Sequence, residues 1–261
     1  DDLPEPDPAW PVAPAVPGES IRDQFPAGAL AGTCLHAMLE RADFSRPLDV
    51  ALARRCLGEA GLPTGLAPQV GVWLSEVLAT ALPGAQGSPI VLGSIAAQRQ
   101  VRELEFLLPA TRLDNQALLE AVASEFPMAR GAADAAWSGF LRGFIDLVFE
   151  DQGRWWIVDW KSNRLGDGPT AYGQASLERS VAEHAYALQF CLYSLALHRL
   201  LSVRLPGYQP ARHFGGVFYL YLRSVAPAGP GLPSGPLPGV YAARPSDRLL
   251  ARMDSLFAGA R

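Results

Sequence analysis

Apolar residues recur along this chain with two different periods, and the changes of period divide it into helical and extended stretches. From Gly28 to Arg41, the positions Leu30, Cys34, Leu35, Met38 and Leu39 follow the three-to-four-residue spacing of an amphipathic helix, with His36 near its middle. Residues 48–82 predict one or two further helices, broken around Gly61-Leu62-Pro63 and Gly65. The pattern turns extended over residues 97–109 through Val101, Leu104, Phe106 and Leu108, with Pro109 expected to end the strand, and residues 114–127 return to helical spacing. Residues 143–150 and 154–161 are two β-rich runs joined through Asp151-Gln152-Gly153, the turn chemistry of a hairpin. An apolar helix is expected over 183–204, stopped by Pro206-Gly207. Residues 213–222 read as a strand buried on both faces, 226–238 as a loop and 246–257 as a terminal helix. The order helix, strand, strand, strand, helix, strand, with a helical insertion after the first helix, predicts an α/β fold: a central mixed sheet flanked by helices.

The hairpin carries the candidate chemistry. With Gln152-Gly153 as a two-residue loop, Asp151 opposes Arg154, and counting back along both arms places Asp146 opposite Asp159. Side chains alternate with period two, so Lys161 projects from the same face as Asp159. Like charges facing each other across a ladder cost about 0.2–1 kcal/mol, and more when buried. The neighbours on both arms are Phe, Ile, Leu, Val and Trp, so a compensating charge is expected. A divalent cation supplies it, because hard carboxylate oxygens suit Mg²⁺ or Mn²⁺. The alternative at this point is an edge hairpin with both acids in solvent. Lys161 is also the only lysine in the chain; every other basic residue is arginine. A position that keeps lysine calls for a compact ammonium on a flexible stem.

Composition narrows the class. With 49% hydrophobic and 18% charged residues in 261, the chain builds a full-sized core and is not globally disordered. A net charge of −4 argues against coating nucleic acid through bulk electrostatics, but leaves room for a local site. Cys34, Cys56 and Cys191 are odd in number and widely spaced, which fits neither a zinc site, a disulfide framework nor a four-thiolate iron–sulfur cluster and points to a reducing, cytoplasmic setting. No signal peptide or membrane-spanning run is evident, so no membrane partner is expected. No GxxxxGK[ST] loop is present, so ATP-driven work is not expected of this chain. Six prolines within residues 1–18 predict an extended arm, and residues 1–27 are read as a Pro-rich linker before a domain spanning 28–261. The missing initiator methionine fits a fragment of a longer polypeptide.

The run Gly143-Phe-Ile-Asp146-Leu-Val-Phe followed by Ile157-Val-Asp159-Trp-Lys161-Ser-Asn163 resembles the PD-(D/E)xK nuclease superfamily, and within it the nuclease domain of RecB-type helicase–nucleases. Gly32-Thr-Cys-Leu-His36 is similar to that family's histidine motif, Leu104-Glu105-Phe106 with Pro109 to its acidic strand, Gln189-x-x-x-Tyr193 to its helix motif, and residues 213–220 to the following strand. The resemblance covers residues 28–258. It implies a restriction-endonuclease-like αβββαβ core. It also implies metal ligation by His36, Asp146, Asp159 and the main-chain carbonyl of Trp160, catalysis by Lys161, and a further acid, Glu105, near the metal, with Glu103 on the same face two residues away. Gln189 and Tyr193 would border the DNA strand or orient the site. The implied cofactor is Mg²⁺, with Mn²⁺ as a substitute and Ca²⁺ expected to inhibit. The implied activity is that of an exodeoxyribonuclease V type enzyme in bacterial double-strand-break repair and recombination. Its partners would be single-stranded and also duplex DNA, the helicase portion of the same polypeptide, and RecC and RecD subunits.

Individually these residues have plainer readings. His36 alone reads as a packed or capping histidine, and neutral imidazole becomes a ligand candidate through the motif. Gln189 and Tyr193, four apart, share a helix face whatever their role. Trp155, Trp156 and Trp160 suit either a base-stacking platform or, for at least one of them, the core. Arg142, Arg154, Arg164 and Arg179 suit either phosphate contacts or solvated surface. His184, His198 and His213 read as structural. Two other functions compete: a catalytically silent nuclease-like scaffold that binds DNA or a partner, and a two-carboxylate glycosidase indifferent to EDTA.

Overall fold

The computed structural model describes residues 20–128, 137–227 and 236–258. Residues 1–18, expected as an extended arm, and residues 228–235 of the expected loop lie outside the described residues. The chain opens with four helices, α1 (Ile21–Gln24), α2 (Ala29–Arg41), α3 (Val50–Glu59) and α4 (Ala67–Ala79), followed by a small hairpin of β1 (Ala81–Leu82) and β2 (Ile90–Val91). Next come β3 (Gln100–Leu113), α5 (Asn115–Ala123), β4 (Trp137–Asp151) and β5 (Arg154–Lys161). Helices α6 (Gln174–Glu183), α7 (Tyr186–Arg204) and α8 (Pro210–His213) lead to β6 (Phe214–Tyr221), β7 (Val240–Ala243) and α9 (Asp247–Ala258). The main sheet runs β3-β4-β5-β6-β7, antiparallel except for the parallel β5–β6 pair, so it is mixed as expected.

Helices cover both faces of this sheet. On one side α2–α4 pack on Leu147, Phe149, Trp156, Val158, Trp160, Phe218 and Leu220; on the other, α5, α6, α7 and α9 pack on Ile145, Val148, Ile157, Val217, Tyr219 and Tyr221. The helical insertion is tied to the end of β6 by the Trp73 indole, whose Nε1–H donates to the carbonyl of Leu222 at 2.7 Å. Gly215 admits Trp156 against the sheet, since a Cβ there would stand 2.2 Å from the indole.

Three expectations change, and two elements are new. β3 continues through Pro109 to Leu113; it pairs only with β4, so a residue without an N–H interrupts no second ladder. The single helix expected over 183–204 is divided at Ala185, which is left-handed with φ 54° and ψ 28°, and begins at Tyr186. Helix α6 and strand β7 carried no expectation. Finally, residues 20–27 of the stretch read as linker belong to the packed body. Phe25 is buried edge-on against Trp73, and the Arg223 guanidinium donates to the carbonyls of Arg22, Phe25 and Pro26.

Candidate active site

The β4–β5 hairpin closes on Gln152-Gly153, both at positive φ (50° and 76°) as a type I′ turn requires. That turn fixes the register: Asp151 pairs with Arg154 and Leu147 with Val158, so Asp146 and Asp159 occupy the next position. There β4 parts from β5, and the Trp160 N–H donates to the Asp146 side chain, Oδ2 at 2.8 Å, in place of a β4 main-chain carbonyl.

The same point is where the β3–β4 ribbon reverses its faces. Arg102 and its partner Leu147 turn towards α2, where the Arg102 guanidinium meets the carbonyl of Glu40 at 2.9 Å, whereas Leu104 and its partner Ile145 pack under α7 and α9. The alternation inverts between them, at Glu103, whose φ is +49°, and at Asp146. Left-handed backbone at a non-glycine residue costs of order 1–3 kcal/mol and persists only where surrounding structure enforces it. Here the inversion sets two carboxylates at the seam between the two cores.

Helix α2 delivers the histidine. A Cβ at Gly32 would stand 2.7 Å from Ser162 Oγ, so glycine lets the helix lie against the chain just past β5. One turn on, His36 Nδ1 is 3.5 Å from Asp146 Oδ2. Burial pulls the imidazole down, but hydrogen bonding to Asp146, the charges of Asp146 and Asp159, and a bond to the Trp160 main chain outweigh it and leave its pKa raised. In extended backbone a residue's N–H and C=O leave the same edge, so the Trp160 carbonyl lies on the edge of β5 that Asp146 caps.

Asp159 and Lys161 share a face of β5, as strand alternation predicts, and both are buried; Lys161 Nζ lies 2.7 Å from Asp159 Oδ2. Burial pushes the Asp159 carboxyl up, Lys161 opposes that, and the neighbouring Asp146 charge pushes further the same way. From α7, Gln189 Oε1 accepts from Lys161 Nζ at 3.0 Å while Gln189 Nε2 donates to Tyr193 Oη at 2.8 Å. Tyr219, paired with Asp159 across the parallel ladder, donates its hydroxyl to Gln189 Oε1 at 2.7 Å.

The structure thus brings together His36, Asp146, Asp159, Trp160, Lys161, Gln189 and Tyr193. It does not bring in Glu105. That carboxylate is exposed and paired with Arg142 at 2.6 Å, and the acid that feels Asp146 is Glu103, raised by burial first and then by Asp146 and Glu40. The reason is the positive φ at Glu103, which turns the strand at that residue. Tyr186 and Tyr219, whose rings flank the Lys161 ammonium, were not singled out by sequence. Alternation along β6 marks Tyr219 only once its register to β5 is known. The tryptophans form no stacking platform: Trp156 stacks on Phe218 at 5.1 Å, Trp160 meets Phe44 edge-on and Trp155 is partly buried. Arg142, Arg154, Arg164 and Arg179 each bond within the chain, to Glu105, the Ala211 carbonyl, Asp167 and Ser176.

The donor chemistry suits a hard divalent cation: one imidazole, two carboxylates and a carbonyl, with Glu103 close by and Lys161 the only fixed cation among them. Burial first, with the charge of Asp146 adding to it, raises both Asp159 and Glu103, which marks a site short of positive charge. As placed, no three His, Cys, Asp or Glu side chains among the described residues stand at coordination spacing. Asp146 is engaged by the Trp160 N–H and Asp159 by Lys161.

A family model described as the PD-(D/E)XK nuclease superfamily matches residues 18–253. Among curated proteins, the RecBCD enzyme subunit RecB of Escherichia coli is 37% identical over 240 residues, 90% of this chain and 20% of its own length. The subunit of the same name from Haemophilus influenzae is 32% identical over 89% of this chain and 19% of its own length, and that from Mycobacterium tuberculosis 31% identical over 89% and 24%. The chain therefore spans about a fifth of the length of the curated relatives it matches. Sheet order, paired aspartates, following lysine and extended sequence match agree, and the chain belongs to the PD-(D/E)XK nuclease superfamily.

Proposed function

We propose that this chain hydrolyses DNA phosphodiester bonds in a Mg²⁺-dependent reaction, as the nuclease domain of a RecB-type helicase–nuclease acting in double-strand-break repair. The observation that carries this reading is the meeting of His36, Asp146, Asp159 and Lys161 at the open end of the hairpin. In it, His36, Asp146, Asp159 and the Trp160 carbonyl would hold the ion, which would supply Lewis acidity towards a phosphoryl oxygen and an acidified water. Lys161 orients the attacking water and offsets negative charge growing on the phosphorus oxygens. Asp159 aims the ammonium, and Gln189, held by Tyr193 and Tyr219, fixes it from the other side. Glu103 is the outer acid of the cluster, in place of Glu105.

The rest of the reading follows the relatives' names. A helicase portion of the same polypeptide and RecC- and RecD-type subunits would be the partners, exodeoxyribonuclease V the activity class and the bacterial cytoplasm the setting. No helix among the described residues is long and apolar enough to cross a membrane. A silent scaffold is not favoured, because the acids and the lysine are all retained and packed together. The test is incubation of the chain with short single-stranded and duplex DNA in Mg²⁺ and then in EDTA. Cleavage in Mg²⁺ only, lost in Asp159→Ala, is expected; equal digestion by Asp159→Ala overturns the assignment.

A further inference from the structure

We propose that the rings of Tyr186 and Tyr219 form an aromatic cage that holds the Lys161 ammonium as an oriented donor, which makes both tyrosines positioning residues for the cleavage reaction. The catalytic consequence rests on the nuclease reading above; the cage itself does not. Lys161 Nζ lies 3.8 Å from the centroid of the Tyr186 ring and 4.4 Å from that of Tyr219. The two rings are 5.4 Å apart and inclined at 69°, so they make two walls of a corner around the ammonium. Ring faces attract a cation electrostatically, and more strongly where water is excluded, as it is here: Tyr219 is fully buried and Lys161 nearly so.

The ammonium has three N–H groups. Asp159 and Gln189 take two of them at 2.7 and 3.0 Å, and the rings close the sides, so one donor direction is left. Arginine does not fit this corner: its planar fork is wider than an ammonium and spreads its donors in a plane. The cage thus accounts for the position of the only lysine in the chain.

The placement of Tyr186 is built in at some cost. Ala185 adopts left-handed backbone, which swings the first residue of α7 over the end of β5. The His184 ring stacks behind Tyr186 at 5.1 Å, and the Tyr186 hydroxyl donates to Asn163 Oδ1 at 3.3 Å, just past β5. A side chain serving only to fill the core has no need of three such restraints.

A single lysine makes the test direct. In the full chain labelled with ¹³C,¹⁵N-lysine, the one set of side-chain signals reports the environment of Lys161. Ring currents are expected to move the Lys161 ε-methylene protons well upfield of free lysine. Tyr186→Leu should return them most of the way, while Tyr186→Phe, which keeps the ring and loses only the hydroxyl, should hold them upfield. With a single-stranded oligonucleotide and Mg²⁺, Tyr186→Leu is expected to lower kcat about tenfold with little change in KM, and Tyr186→Phe to recover most of that loss. Tyr186→Met, similar in length but without a π face, serves if the leucine variant does not fold. Lysine signals that coincide in parent and Tyr186→Leu, or equal losses of kcat in the phenylalanine and leucine variants, overturn the cage. A parent that cleaves nothing while its lysine signals behave as described overturns the nuclease reading alone.

Discussion

The main-chain N–H of Trp160 donates to Asp146 Oδ2 at 2.8 Å, bridging the hairpin where its two strands part. The carboxylate that caps the partner strand is thereby held beside Asp159, and a cation would relieve the repulsion between the two acids. Mg²⁺ should therefore stabilise the fold by mass action, by about 2.7 kcal/mol at a hundredfold excess over its Kd. For a domain of this size that is a rise in Tm of roughly 5–10 °C. Asp146→Asn and Asp159→Asn should each remove most of the Mg²⁺-dependent shift. Thermal unfolding with Mg²⁺ and with EDTA measures it, and identical shifts in parent and both variants would remove these two residues from the ligand set.

The buried Lys161–Asp159 pair separates stability from chemistry. Lys161→Ala leaves Asp159 buried without its partner, a loss of about 3–5 kcal/mol in comparable buried pairs, together with loss of cleavage. Asp159→Asn combined with Lys161→Met removes both charges and should recover most of the stability and none of the activity. Lys161→Arg keeps the charge, yet should be as inactive as alanine, because the guanidinium does not fit between the two tyrosine rings. Urea unfolding and a cleavage assay on the same preparations read the two effects. A double variant no more stable than Lys161→Ala would show that pairing is not what the site contributes to the fold.

The register of the hairpin was legible because turn chemistry determines it: Gln152-Gly153 admits the positive φ values of a two-residue loop, and strand alternation then places Asp146, Asp159 and Lys161. The helix bearing His36 and the helical insertion were legible from their periodicity, and the strand after α7 from its continuous apolar run. What was not legible depends on backbone conformations without a sequence signature. Alanine favours helix, so nothing in residues 183–204 marks Ala185 as the break that aims Tyr186. Glutamate at positive φ is equally unannounced, and the face reversal at Glu103 decides which of two nearby acids joins the cluster. Tyr219 needed the parallel register of β6 on β5, which is set by the crossover through α6 and α7 and by no local turn.

That reversal gives a discriminating pair of substitutions. Glu103→Gln removes an acid that interacts with Asp146 and should shift the Mg²⁺ dependence of cleavage to higher concentration, by roughly three- to tenfold if its charge interaction is worth about 1 kcal/mol. Glu105→Gln breaks only an exposed ion pair with Arg142, of the kind that contributes about 0–1 kcal/mol, and should leave the Mg²⁺ titration within twofold. A Mg²⁺ titration of both variants decides between the two acids. The reverse order of effects would restore Glu105 to the site.

Arg223 joins the start of the domain to the end of β5. Its guanidinium donates to the carbonyls of Ser162, Arg22, Phe25 and Pro26, and burial lowers its pKa by more than the charges of Tyr172 and Asp23 raise it. Arg223→Ala strands four carbonyls in a largely buried place, where each lost partner costs of order 1 kcal/mol or more, so a net loss of about 3 kcal/mol is expected. Arg223→Lys should lose nearly as much, since one ammonium cannot reach carbonyls that a planar fork spans. Neither side chain nor acceptor touches the acids, but Ser162 lies against Gly32 one helical turn before His36. Loosening this latch should therefore weaken Mg²⁺-dependent cleavage through His36 as well as stability. Urea midpoints and Mg²⁺ titrations of the two variants test both effects, and full stability in Arg223→Ala would show that residues 20–26 are held by Phe25, Arg22 and Asp23 instead.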